Sequence, residues 1–104
     1  MGDTVLLVLN GELDHETEPA LRRTLAALPG TLSSVVLDMQ HVPFMDSAGL
    51  HFLRGMHRHT ARHGISLFTR GWQAQPRFVL EAALHLDLTG ADLSSAVRAA
   101  LDPF

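Results

Sequence analysis

Strands alternating with helices along the chain predict an α/β fold: a small mixed sheet of about four strands, covered by about four helices that lie mainly on one face. Three observations carry this expectation. VLLVL (Val5–Leu9) is a near-continuous apolar run of the kind found in strands buried on both faces. The segments between such runs repeat apolar residues at helical spacing behind capping residues. A length of 104 residues supports one modest core and not two, so residues 1–104 are expected to form a single domain.

The elements follow in order. TVLLVLNG from Thr4 reads as a strand stopped by Asn10-Gly11, with the turn continuing through Glu12, Leu13 and Asp14. In HETEPALRRTLAALPG, Thr17, Glu18 and Pro19 supply a cap, an acid and an early-turn proline. Leu21, Leu25 and Leu28 then form a helical stripe, which Pro29-Gly30 stops. SSVVLDM (33–39) reads as the second strand. After QHVPFMD the helical pattern restarts at Ser47 and runs to about His63, with Gly64 placed to end it. ISLFT (65–69) is the third strand. Gly71 and Trp72 open a loop, and Gln75-Pro76 introduces a helix carrying Phe78, Val79, Ala82 and Ala83. HLDLTG (85–90) reads as a fourth strand, and DLSSAVRAAL (92–101) as a closing helix capped by Asp92.

Composition narrows the function. Apolar runs fall far short of the roughly 18 residues of a membrane span, and MGDTV has neither the basic region nor the apolar core of an export signal. With no cysteine there is no thiol or disulfide chemistry, which fits the cytoplasm. A net charge of -3 lacks the basic footprint that nucleic acid demands.

The most informative stretch is FMDSAGL, Phe44 to Leu50. Stepping about 100° per residue through the helix that follows puts Gly49, Phe52, Leu53, Met56 and Thr60 on one face, expected against the sheet. Arg54, Arg58 and Arg62 fall opposite, on what reads as a solvated face. Leu50 and His57 lie on a flank without a certain core partner for Leu50, and His51 points outward. Ser47 admits three readings. As an N-cap, its hydroxyl would satisfy an orphan N–H. As a nucleophile it would need glycine two residues before it, where Met45 stands, and a base that no spacing supplies. As a phosphorylation site it would hold a phosphate at the positive end of the helix dipole.

NGELDHETEPALRRTL, followed some twenty residues later by VVLDMQHVPFMDSAGL, resembles the STAS domain of bacterial anti-sigma-factor antagonists, its sporulation members in particular. The resemblance runs from Val5 to about Leu101 and rests on two motifs in order. It implies that Ser47 is phosphorylated by a partner that is both anti-sigma factor and serine/threonine kinase, and that a serine/threonine phosphatase reverses the mark. The unmodified antagonist would bind the kinase and free a sigma factor. Glu12 and Asp14 would take a recognition role, Asp46 would support the switch, and Ala48, Gly49, Leu50 and His51 would complete the contact surface. ATP and magnesium would belong to the kinase, leaving this chain no cofactor and no catalysis of its own. Three departures stand out: members commonly carry a further strand before the one matching TVLLVLNG, many have a small residue where His51 stands, and the segment between the last two helices is shorter here.

Other features have plainer expectations. His59 and His63 have the i, i+4 spacing of a metal pair but no acidic third ligand in register, so no metal is expected. Trp72 is expected to cover the core edge. The rival to the switch is a STAS interaction or scaffold module that uses Ser47 only as a cap.

Overall fold

The structure, a computed structural model, describes residues 3–86 and 98. Three strands, β1 (Thr4–Asn10), β2 (Ser34–His41) and β3 (Ser66–Arg70), lie in the order β1-β2-β3. Three helices, α1 (Glu18–Ala26), α2 (Ser47–His63) and α3 (Ala74–Leu86), alternate with them. Both strand pairs are parallel, with Val35 opposite Val5 and Leu67, so the described sheet is parallel and not mixed. The reason is the connectivity: each strand is followed by a helix that returns the chain to the same sheet end, and no hairpin intervenes. The expected fourth strand is corrected at its start, because His85 and Leu86 are the last turn of α3; the remainder, 87–90, lies outside the described residues. So does the closing helix, apart from Arg98, which is helical.

Central β2 buries Val35, Leu37 and Met39, and the inward residues Val5, Leu7 and Leu9 of β1 pack on the same cluster. The outward Leu6 and Val8 of β1 remain 50% and 43% exposed. VLLVL is therefore half-buried where burial on both faces was expected, because Leu6 and Val8 stand on the sheet face away from the core cluster, where Phe68 of β3 is exposed as well. From α2 the core receives Phe52, Leu53 and Met56, and from α3 Leu80 and Ala83. Leu50 joins this core at 8% exposure. Helices α1 and α2 approach closely at Gly55, where a Cβ would lie 2.6 Å from Leu25 Cδ2.

The helix starts differ from the simplest sequence reading. Thr17 does not cap α1 through its side chain. Instead Asp14 Oδ1 accepts from the Thr17 N–H at 3.1 Å while Thr17 Oγ1 accepts from the Asp14 N–H at 2.9 Å, a reciprocal box one turn earlier. Helix α2 ends as anticipated at Gly64, whose φ of 66° is a left-handed value.

One charge is buried in the sheet. Asp38 on β2 is 2% exposed and sits opposite Arg70 on β3, whose Nη2 lies 3.2 Å from Oδ2. The backbone N–H of Gln40 donates to Oδ1 at 3.0 Å. That bond, with the hydrogen bonds and charge of Arg70, outweighs desolvation and holds the Asp38 carboxyl below its ordinary range. Gly71 closes over the pair: its φ is +75°, and a Cβ there would lie 2.9 Å from Gln40 N. A carboxyl depressed on folding stabilises the fold above its unfolded pKa, and the contribution is lost as pH falls through about 4 and below. Asp38→Asn should therefore cost about 1–3 kcal/mol at pH 7 and should flatten the acid limb of stability, read from urea midpoints between neutral and acidic pH. Parallel pH profiles for the two proteins would contradict this role.

Candidate functional site at the start of helix α2

The site is built around Met45. After β1 the chain turns at Gly11, and Leu13 forms a parallel bridge with Met45 in the loop after β2. The Leu13 N–H donates to Phe44 O at 3.0 Å, and the Asp46 N–H donates to Leu13 O at 3.1 Å. The turn carrying Glu12 and Asp14 is thereby joined to the residues immediately before Ser47. Both segments lie at the carboxyl ends of parallel strands, where α/β sheets commonly place their sites. From the other side Gln75, at the start of α3, accepts from Met45 N at 2.8 Å and donates Nε2–H to Met45 O at 3.1 Å. Met45 itself is 1% exposed.

This fixed loop delivers Asp46 as the cap of α2. Its backbone is extended, and Oδ1 accepts from the Ala48 N–H at 2.8 Å. Ser47 is therefore not the N-cap. It is the first residue of the helix, it is exposed, and its hydroxyl makes no hydrogen bond with any described residue. Its neighbours turn inward: Ala48, Gly49 and Leu50 are all buried. Gly49 faces the core as phased, but its immediate neighbour is Met45 and not the sheet. A Cβ at Gly49 would lie 2.8 Å from Met45 Sδ and 2.9 Å from its Cβ.

The other expected site residues divide by exposure. Glu12 and His51 are exposed, while Asp14 and Asp46 are half-buried and carry the structural hydrogen bonds described above. The surface that a partner meets here thus consists of Ser47, Glu12, His51 and the accessible parts of Asp14 and Asp46. Gln75 is the residue that sequence reasoning used only as a helix-start signal; an amide directly before Pro76 was the available clue to a side chain turned back on a loop.

Elsewhere the candidates resolve into packing. The rings of His59 and His63 are in tilted contact, with centroids 4.5 Å apart and planes at 42°, and among the described residues no three His, Cys, Asp or Glu side chains converge on a metal-sized site. Arg58 and Arg62 are exposed, whereas Arg54 is half-buried. Trp72 packs on the core edge and donates Nε1–H to Thr69 Oγ1 at 2.9 Å.

Comparison with known proteins gives this geometry a family. The sequence profile of the STAS domain matches residues 1–100. The chain belongs to the STAS-domain family. An anti-sigma F factor antagonist from Lysinibacillus sphaericus is 33% identical over 58 residues, which are 54% of this chain and 50% of the relative; the match thus spans about half of that protein's length. Among solved structures, a sulfate transporter family protein from Wolinella succinogenes superposes with a TM-score of 0.68 at 21% identity, covering 84% of this STAS domain and 71% of that chain. The anti-sigma factor antagonist SpoIIAA in its unphosphorylated form gives 0.61 at 24% identity, covering 78% and 76%. The STAS domain of a SulP transporter from Vibrio cholerae gives 0.61 at 22% identity, covering 92% and 82%. These three establish the fold.

The Met45 arrangement makes two stability outcomes checkable. Gln75→Ala strands the Met45 amide and carbonyl and should cost about 1–3 kcal/mol. Gly49→Leu must displace Met45 and should cost about 1–3 kcal/mol or more. Urea midpoints unchanged from wild type in both variants would show that Met45 is not the pivot of the loop.

Proposed function

We propose that this STAS domain is an anti-sigma-factor antagonist whose partner binding is switched by phosphorylation of Ser47. The unphosphorylated form binds an anti-sigma factor serine/threonine kinase in the cytoplasm and releases a sigma factor. The kinase transfers the γ-phosphoryl group of its ATP to Ser47 Oγ, the hydroxyl proton departs, and ADP remains with the kinase. A serine/threonine phosphatase returns the hydroxyl by hydrolysis: water takes the phosphoryl group, and inorganic phosphate leaves. The STAS domain is thus substrate and ligand, and the chemistry belongs to its partners.

The observation that carries this reading is the hydroxyl of Ser47, exposed and without a hydrogen bond to any described residue, at the first position of a helix already capped by Asp46. Since the cap lies elsewhere, a modified Ser47 costs the helix no capping bond. The helix terminus tolerates a phosphate, which brings about 1.5 to 2 negative charges. In a closed interface the same charge must be desolvated beside Asp46 and near Glu12, and like-charge repulsion then opposes the complex. Each ~1.4 kcal/mol of repulsion weakens binding about tenfold, so a small penalty makes a switch. The 33% identity to an anti-sigma F factor antagonist supports the assignment.

The likeness to STAS domains of the sulfate transporter family favours a second reading, an interaction module that is not regulated at Ser47. Titrating Ser47 variants into the cognate anti-sigma kinase with nucleotide present separates the two. Ser47→Ala should bind as tightly as the unphosphorylated wild type and accept no phosphate, and Ser47→Asp should bind about tenfold more weakly. Equal affinities for wild type, Ala and Asp would favour the unregulated module.

A further inference from the structure

Helices α1 and α2 lie side by side in the same sense: Glu18 shares a groove with Ala48 and His51 near the switch end, and Arg22 and Leu25 face Gly55, Arg58 and Arg62 farther along. Charge is segregated along this pair. Glu12, Asp14, Glu16, Glu18 and Asp46 lie at or just before the helix starts, whereas Arg22, Arg58 and Arg62 border the far end. There they surround an open groove of about 370 Å³ with His59 at its wall and Leu25 and Gly55 on its floor. We propose that this groove docks an acidic segment of a protein partner.

Dipole complementarity explains why cations are favourable at helix C-termini. It does not explain why Arg22 of α1 and Arg58 and Arg62 of α2 border one groove. Arg22 is bonded to Glu18 at 2.7 Å, so its charge is partly answered within the chain. Arg62 is exposed and makes no ion pair with a described residue. A carboxylate entering the groove answers the charge of Arg62.

The occupant follows from shape and from the rest of the charge map. The floor of Leu25, Ala26 and Gly55 is apolar and open, suited to the methylenes of glutamate or aspartate side chains and unsuited to enclosing a small anion. Acids at the opposite end of the same two helices, and a net charge of -3, repel a long polyanion such as nucleic acid. A short acidic segment avoids them.

The test uses fluorescence anisotropy at about 150 mM salt, where the screening length is about 8 Å and only local charge matters. The probes are a fluorescein-labelled ten-residue glutamate-rich peptide, its glutamine counterpart and a ten-nucleotide single-stranded DNA. The glutamate peptide should bind, and the glutamine peptide should not. Arg62→Glu and the milder Arg62→Gln, both with wild-type circular dichroism, should weaken binding about fivefold or more. Arg77→Glu, which carries the same charge change as Arg62→Glu on α3, should stay within about twofold. Absence of peptide binding by the wild type, equal losses at Arg62 and Arg77, or DNA bound more tightly than the peptide would each overturn the proposal. So would a wild-type dimer that Arg62→Glu abolishes, since a second copy's acidic end would then be the occupant. No kinase or nucleotide enters this experiment, so its outcome is independent of the switch at Ser47.

Discussion

The backbone of Met45 is the constraint on which the site depends. Its amide and carbonyl are both taken by Gln75, the bridge to Leu13 ties it to the turn after β1, and its side chain fills the space that Gly49 leaves empty. Three segments far apart in sequence therefore meet at one residue. Asp46 and Ser47 are its immediate successors, so their positions follow from this arrangement. The Ala48 N–H donates the cap bond to Asp46 at the helix start, and Ser47 is carried to the surface with its hydroxyl free of any described partner. A modification can act there without dismantling what holds the loop.

The same economy appears in the charges. Asp38 and Arg70 form a pair whose carboxylate is buried, and Gln40 and Gly71 close around it. That pair steadies the strand ends behind the site, and its carboxylate is too deeply buried to meet a partner. On α1, α2 and the turns before them, the acids Glu12, Glu16 and Glu18 lie toward the helix starts, and Arg58 and Arg62 lie toward the end of α2. A partner crossing this surface meets opposite fields at its two ends, which sets orientation more than affinity. Adding a phosphate at Ser47 deepens the negative end and leaves the positive end unchanged.

Much of the fold was legible from local signals. The α1 stripe of Leu21 and Leu25, the Gly64 stop, and the inward set Gly49, Phe52, Leu53, Met56 and Thr60 belong to periodicity and capping chemistry, which neighbours in sequence decide; Leu28, expected in the same stripe, lies outside α1, which ends at Ala26 before Pro29-Gly30 is reached. What was not legible depended on contacts across distance. Asp46 and Ser47 are both favoured caps, and the extended backbone of Asp46 gives it the role. Thr17 looked like a cap because its box with Asp14 lies one turn earlier than the helix itself. The Gln75 clamp spans 30 residues and the Asp38–Arg70 pair spans 32, so no local pattern announces either. Parallel pairing throughout the described sheet likewise depends on which strands are neighbours, and the exposed outer face of β1 on which face of the sheet the core covers.

The central claim is that Ser47 is a residue on which a partner kinase writes, in a loop held still by Met45. The most direct measurement is peptide-mapping mass spectrometry of the full chain after incubation with ATP, magnesium and a candidate anti-sigma kinase, with the surviving complex quantified in the same samples. The account predicts a single added phosphate on Ser47, and a complex that disappears in proportion to it. Phosphate on another residue, or a fully phosphorylated Ser47 in a complex of undiminished amount, would contradict it.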